Sequence, residues 1–268
     1  MRGRGVEPTA EPLVIRTDDG PIAFLTLNTP ANLNALGTAM LTALDAALDG
    51  IGDGVRVVIL RGGSRAFSAG HDLREIQAYR TDPDSGAARF RALFDLCASV
   101  MQKLVALPQP VIAEVRGVAA AAGCQLAASC DLVMAAETAR FGVNGIDIGL
   151  FCSTPMVALT RKIAPSAALE YLLTGEMIPA LRAQQLGLVT RCLPEADVTE
   201  ATLTLARQIS AKLPVAIRLG KQAFRAAVGL PLDQAYQAAG AVMCANILEP
   251  QTAEGIQAFL DKRKPDWA

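Results

Sequence analysis

The sequence predicts an α/β fold whose last quarter is entirely helical. Three observations lead there. Short β-branched runs alternate with helix-period segments from Leu13 to Leu193. From Ala196 onward only helix-period segments follow. Half of the residues are apolar (51%) but only 4% are aromatic, so Ala, Leu, Val and Ile must fill the core and the helices must pack closely. A chain of 268 residues is long enough to bury such a core.

The elements follow in order. Leu13–Thr17 and Ile22–Leu27 flank the turn signal Asp18-Asp19-Gly20-Pro21, which predicts an opening β-hairpin. Between Asn34 and Ile51, Leu36, Met40, Leu41, Leu44, Leu48 and Ile51 recur at helix spacing. Val55–Leu60 is a short β-branched run and predicts a buried strand. A helix is predicted from Gly86 to Leu107, with Leu93, Phe94, Cys97 and Met101 on one side, stopped by Pro108 and Pro110. Pro110–Val115 predicts a strand, Gly123–Ser129 a short helix, Asp131–Ala135 and Val189–Leu193 further strands. Helices are predicted over Ala196–Lys212, Val215–Val228, Asp233–Leu248 and Gln251–Asp261. The change of pattern sets a boundary at residue 200, giving a core over 13–200 and a helical unit over 201–268. Residues 1–12 carry charge, Gly and Pro without an apolar run and are expected to form a loose tail.

Composition removes several classes of function. Lys plus Arg is 25 and Asp plus Glu is 26, so no global field draws the chain to nucleic acid or to a membrane surface. No apolar run reaches the roughly 20 residues that span a bilayer. The six cysteines form no C-x-x-C pair and His71 is the single histidine, which argues against a zinc cluster. Scattered apolar-flanked cysteines fit reduced thiols and a cytoplasmic location. Neither G-x-G-x-x-G nor G-x-x-x-x-G-K-[ST] occurs, and no G-x-S-x-G elbow exists.

Two segments share one design: a strand, a turn of small residues, then a helix start. One runs from Val55–Leu60 to Ala69-Gly70-His71, the other from Pro110–Val115 to Ala119–Gly123. Small side chains let a ligand approach the main chain, and a helix start adds unsatisfied N–H groups. The two turns are therefore candidate donors to one developing anion.

Phe67–Leu73 (FSAGHDL) and Ala119–Leu132 (AAAAGCQLAASCDL) resemble the two signatures of the crotonase superfamily, the enoyl-CoA hydratase/isomerase family. NLNAL at Asn32–Leu36, LLTGE at Leu172–Glu176, LGKQAF at Leu219–Phe224 and FLDKRKPDW at Phe259–Trp267 extend the resemblance over the chain from Leu13 onward. It implies a spiral of β-β-α units, with C-terminal helices that build trimers and often pair them into hexamers. It also implies that the backbone N–H groups of His71 and Ala122 hold a thioester oxygen. The loop around Arg65, Ala69, Gly70, Asp72 and Leu73 would contact coenzyme A, and Lys221 would lie near its phosphates, often those bound by a neighbouring subunit. On this reading coenzyme A arrives as part of the substrate, no prosthetic group is needed, and the His71 ring lines the groove.

By the same resemblance, hydration uses two glutamates, and this chain has neither. Gln125 stands at the first position and Gly145 at the second. An amide orients water but does not take its proton, and glycine has no side chain. Asp147 is the carboxylate of the IDIGLFCSTP region, read chiefly as structural. The expected function is an acyl-CoA thioester-binding enzyme of lipid and fatty-acid metabolism, nominally a lyase or isomerase, lacking the standard hydratase pair. Three alternatives remain: a non-catalytic acyl-CoA-binding pseudoenzyme, a malonyl-type decarboxylase and a thioester hydrolase.

Overall fold

The computed structural model describes residues 11–63 and 65–267. Most of the expected tail lies outside the described residues; within them, Asn28 Nδ2 donates to the Pro12 carbonyl at 3.1 Å. The chain opens with the antiparallel hairpin β1 (Val14–Asp19) and β2 (Ile22–Leu27). Then come α1 (Thr38–Asp49), β3 (Val57–Arg61), β4 (Ala66–Ser68), α2 (Leu73–Tyr79) and α3 (Ala87–Ala106). The middle comprises β5 (Val111–Val115), β6 (Val118–Ala120), α4 (Ala122–Ser129), β7 (Leu132–Ala136) and β8 (Arg140–Gly142). There follow α5 (Ser153–Leu159), α6 (Pro165–Thr174), β9 (Ile178–Pro179), α7 (Ala180–Leu186) and β10 (Arg191–Leu193). The end is helical: α8 (Val198–Ser210), α9 (Pro214–Ala227), α10 (Leu232–Ile247) and α11 (Pro250–Leu260).

Two sheets organise these elements. The larger runs β1-β2-β3-β5-β7-β10 and is parallel from β2 onward. The smaller runs β4-β6-β8-β9, with β4, β6 and β8 parallel. Alternation along β3 shows why the larger sheet is covered on both faces: Val58 and Leu60 join the main core, while Val57 and Ile59 pack with Ile112 and Met134 against Ala206 of α8. On the main-core side, α1 buries Met40, Leu41, Leu44 and Leu48, and α3 buries Leu93, Cys97, Val100, Met101 and Leu104. Each fully buried Leu contributes about 1.5–3 kcal/mol.

Three expectations need correction. The first helix begins at Thr38 rather than Asn34, because Leu33 and Asn34 take left-handed backbone angles (φ 57° and 53°) that no helix continues. The boundary placed at residue 200 falls inside α8, whose packing onto the larger sheet makes it part of the core. Phe94 is 38% exposed and leaves the buried stripe of α3. Beyond α8 the packing changes: α9 and α10 contain no buried residue, and Phe224, Leu232, Tyr236, Met243 and Phe259 are exposed.

Candidate functional site

The smaller sheet builds the site. β4 and β6 run parallel with Ser68 opposite Ala119, and β6 and β8 run parallel with Ala119 opposite Phe141. Their C-terminal ends therefore release the segments 69–72, 121–123 and 143–145 side by side, which is where parallel sheets hold ligands. All three segments contribute to one cavity of 840 Å³. Ala69, His71, Asp72, Leu73, Ala122, Gly145 and Asp147 line it.

Glycines bring the first two turns into contact. Gly70 has φ +93°, and a Cβ there would lie 2.8 Å from the Ala120 carbonyl oxygen and 3.2 Å from the Ala122 nitrogen. A Cβ on Gly123 would clash with the Ser68 carbonyl oxygen. Ala121 has φ 47° and ψ −117°, a conformation that favours glycine and costs a residue with a Cβ about 1–3 kcal/mol. The effect is to present Ala122 at the first position of α4, where an N–H has no partner within its helix. The His71 and Ala122 amides have no hydrogen-bond acceptor among the described residues.

A third segment braces the His71 turn. Ala69 N–H donates to the Leu33 carbonyl at 3.0 Å and Leu36 N–H to the Gly70 carbonyl at 2.7 Å. Buried Asn34 donates from Nδ2 to the carbonyls of Ala66 and Phe67, and Ser68 Oγ donates to the Asn34 carbonyl. Asp72 caps α2, accepting from the N–H groups of Arg74 and Glu75. Sequence reasoning assigned no role to Asn34, Leu36 or Ser68; the NLNAL segment was the available signal.

The imidazole of His71 is fixed by the same brace. Its Nδ1 lies 2.9 Å from the Leu36 carbonyl, which only accepts, so Nδ1 carries the proton. Nε2 is buried and has no partner among the described residues. The ring meets Phe94 edge-on at 5.5 Å between centroids. Burial pulls its pKa below the usual histidine value, against smaller upward pulls from the Leu36 carbonyl and Glu75.

The opposite wall, residues 144–155, has a different character. A Cβ on Gly145 would lie 2.5 Å from the Leu150 carbonyl oxygen and 2.9 Å from Cys152 Sγ. Leu150 N–H donates to the Gly145 carbonyl at 2.9 Å, closing this turn on itself. The Cys152 thiol is buried, and burial pushes its pKa up. Asp147 is exposed, and its Oδ1 lies 2.6 Å from where a Gly175 Cβ would sit, so the carboxylate is turned toward the end of α6.

Several expected residues stand apart. Gln125 is 5% exposed and does not line the cavity; its Oε1 has no partner among the described residues. Gly70 lies behind the lining, and the exposed Arg65 does not reach it. Lys221 is elsewhere: its ammonium pairs with Asp131 at 2.7 Å and donates to the Gln109 carbonyl at 2.9 Å. Arg225 holds the other oxygen of Asp131 at 2.9 Å. Within one chain Lys221 is therefore held in an ion pair away from the cavity. Burial lowers its pKa.

Paired small-residue turns at the ends of parallel strands, with helices behind them, define a protein of the crotonase-fold class. The family model for enoyl-CoA hydratase/isomerase matches residues 17–268, and the chain belongs to that family. It is 39% identical over 264 residues to human "Enoyl-CoA hydratase domain-containing protein 3, mitochondrial", covering 98% of this chain and 85% of that one. It is 35% identical over 249 residues to the "2,3-dehydroadipyl-CoA hydratase" of Escherichia coli, covering 92% and 94%. Among solved structures, an enoyl-CoA hydratase of Mycobacterium smegmatis superposes with a TM-score of 0.92 at 43% identity, covering 96% and 99%.

Proposed function

We propose that this chain binds acyl-CoA thioesters and polarises the thioester carbonyl between the N–H groups of His71 and Ala122, as an enzyme of fatty-acid metabolism that does not use the hydratase pair of glutamates. One observation carries the reading: two amides without acceptors stand on touching turns in the wall of a single cavity. Donors of this kind, fixed before substrate arrives, each stabilise a developing oxyanion by roughly 2.7–4 kcal/mol. Coenzyme A enters as part of the substrate and no prosthetic group takes part. The side-chain amide of Gln125 and the absent side chain of Gly145 leave hydration without its acid and base.

The experiment is a thioester panel of 2-enoyl, 3-enoyl, malonyl and 3-hydroxyacyl-CoA, read by product mass, with binding measured in parallel. The expected result is micromolar binding and crotonyl-CoA hydration far below the enzyme median of about 10 per second. Turnover at that median overturns the reading. A second reading, a non-catalytic acyl-CoA binder, is favoured by the turn that fills the space beside Gly145; binding without product from any panel member selects it. The exposed apolar faces of α9, α10 and α11 support self-association as a homotrimer or a pair of trimers, which mass photometry would resolve. The six unpaired cysteines support a reducing compartment, the cytoplasm in our reading.

A further inference from the structure

Large apolar side chains line the cavity and remain open to it. Leu73, Phe94, Ile148, Leu150 and Phe151 all face this space and are 38–57% exposed. They come from three separate parts of the chain: α2, α3 and the wall that follows β8. Ile76, three residues after Leu73 and on the same face of α2, joins them. Apolar surface gathered this densely and left open to water marks a place where an apolar ligand or partner settles.

Charge is scarce on the same surface. The charged residues among the lining are Asp72, Arg74 and Asp147. Asp72 caps α2 and accepts from the N–H of Arg74, so the one cation stands beside a carboxylate. The 144–155 wall contains Asp147 and neither lysine nor arginine. The cavity is also large: 840 Å³ lies in the upper part of the roughly 300–1,000 Å³ range of small-molecule sites, which leaves room for a chain beyond the thioester.

We propose, on the basis of the thioester reading above, that this apolar surface holds the acyl chain and selects a medium- to long-chain aliphatic acyl-CoA without a carboxylate at its far end. This occupant fits because the surface is continuous with the two donor turns: His71 and Ala122 line the same cavity as the five exposed side chains. A thioester whose oxygen lies on their amides extends its chain between Leu73, Ile76 and Phe94 and the wall formed by Ile148, Leu150 and Phe151. Each methylene placed there leaves water together with the side chain it touches. A carboxylate at the far end would lose its hydration among these side chains and meet Asp147 as the charge of the 144–155 wall.

The test is isothermal titration with butyryl-, hexanoyl-, octanoyl- and decanoyl-CoA and with adipyl-CoA. A fully buried methylene tightens binding about fourfold and a half-open one about twofold, so decanoyl-CoA should bind at least about fiftyfold more tightly than butyryl-CoA. Adipyl-CoA should bind at least about tenfold more weakly than hexanoyl-CoA, because its second carboxylate is desolvated without a partner. Phe151 is exposed, so Phe151→Lys leaves the core intact. This variant should flatten the dependence on chain length and bring adipyl-CoA level with hexanoyl-CoA. Equal affinity along the aliphatic series overturns the proposal, as does adipyl-CoA bound by wild type as tightly as hexanoyl-CoA, which would give Arg74 the far carboxylate. Mass photometry of Phe151→Lys covers the other occupant: dissociation into single chains with the wild-type chain-length dependence retained assigns the surface to a second copy of this chain and overturns it too. Failure of wild type to bind any of the thioesters instead sinks the proposed function, whereas measurable binding that ignores chain length leaves that function standing.

Discussion

The two walls of the cavity are built from different materials. The wall of residues 69–72 and 120–123 offers main chain, with N–H groups exposed by Gly70, Gly123 and the strained Ala121. The wall of residues 144–155 is a closed turn in which the Leu150 carbonyl and Cys152 stand where a side chain on Gly145 would begin. The contrast separates two parts of thioester chemistry. Backbone donors need only small residues at fixed angles, whereas reaction type depends on side chains that one substitution removes.

Removing a donor is the largest test of the first wall. Ala122→Pro deletes one N–H at the first helix position, where proline is tolerated. Turnover should fall about 10²- to 10³-fold while the circular dichroism spectrum is retained. A loss under fivefold would mean that this amide does not face the oxygen.

The second wall is tested by putting the acids back. Gln125→Glu with Gly145→Glu should not rebuild a hydratase, because a Cβ at 145 lies 2.5 Å from the Leu150 oxygen and 2.9 Å from Cys152 Sγ. Overpacking of this kind costs about 1–3 kcal/mol. Crotonyl-CoA hydration should rise less than tenfold and the urea midpoint should drop. A hundredfold gain would make the wall a simple deletion rather than a rebuilt turn.

A smaller effect distinguishes the walls by pH. The folded-state pKa of His71 is lowered, so the unfolded chain binds the extra proton first as pH falls below about 6.5. His71 therefore costs no stability above that value and progressively more as pH drops toward its folded pKa. The urea midpoint of wild type should fall between pH 7 and pH 5, and His71→Phe should flatten that part of the curve. The smallest expected change is at Ala121. Replacement by Gly relieves φ 47° and should raise Tm by a few degrees, less the entropy that glycine adds to the unfolded chain.

Much of this was legible in the sequence, and the reasons are local. β-Branched runs located β2, β3, β5 and β7 within about two residues, and helix-period spacing located α3 and α8 to α11. The short strands β4, β6 and β8 were not legible: three residues carry too little periodicity, and AFS and VAA read as parts of turns. That sheet is nevertheless what aligns the two donor turns. Within the site, the motifs singled out the His71 and Ala122 turns, which line one cavity, but composition did not reveal that Leu36 fixes the tautomer of His71 or that Asn34 braces the turn. Those contacts cross about thirty-five residues of chain and have no periodic trace. The ion pair of Lys221 with Asp131 was not legible either, since a lysine in a motif says nothing of the carboxylate, ninety residues away, that holds it within the chain.

The central claim is that two main-chain donors polarise the thioester carbonyl, and vibrational spectroscopy reads that directly. The carbonyl stretch of a 13C-labelled butyryl-CoA should move to lower frequency on binding wild type, and Ala122→Pro should abolish a large part of the shift. A bound ligand whose carbonyl frequency equals that in water would contradict the account.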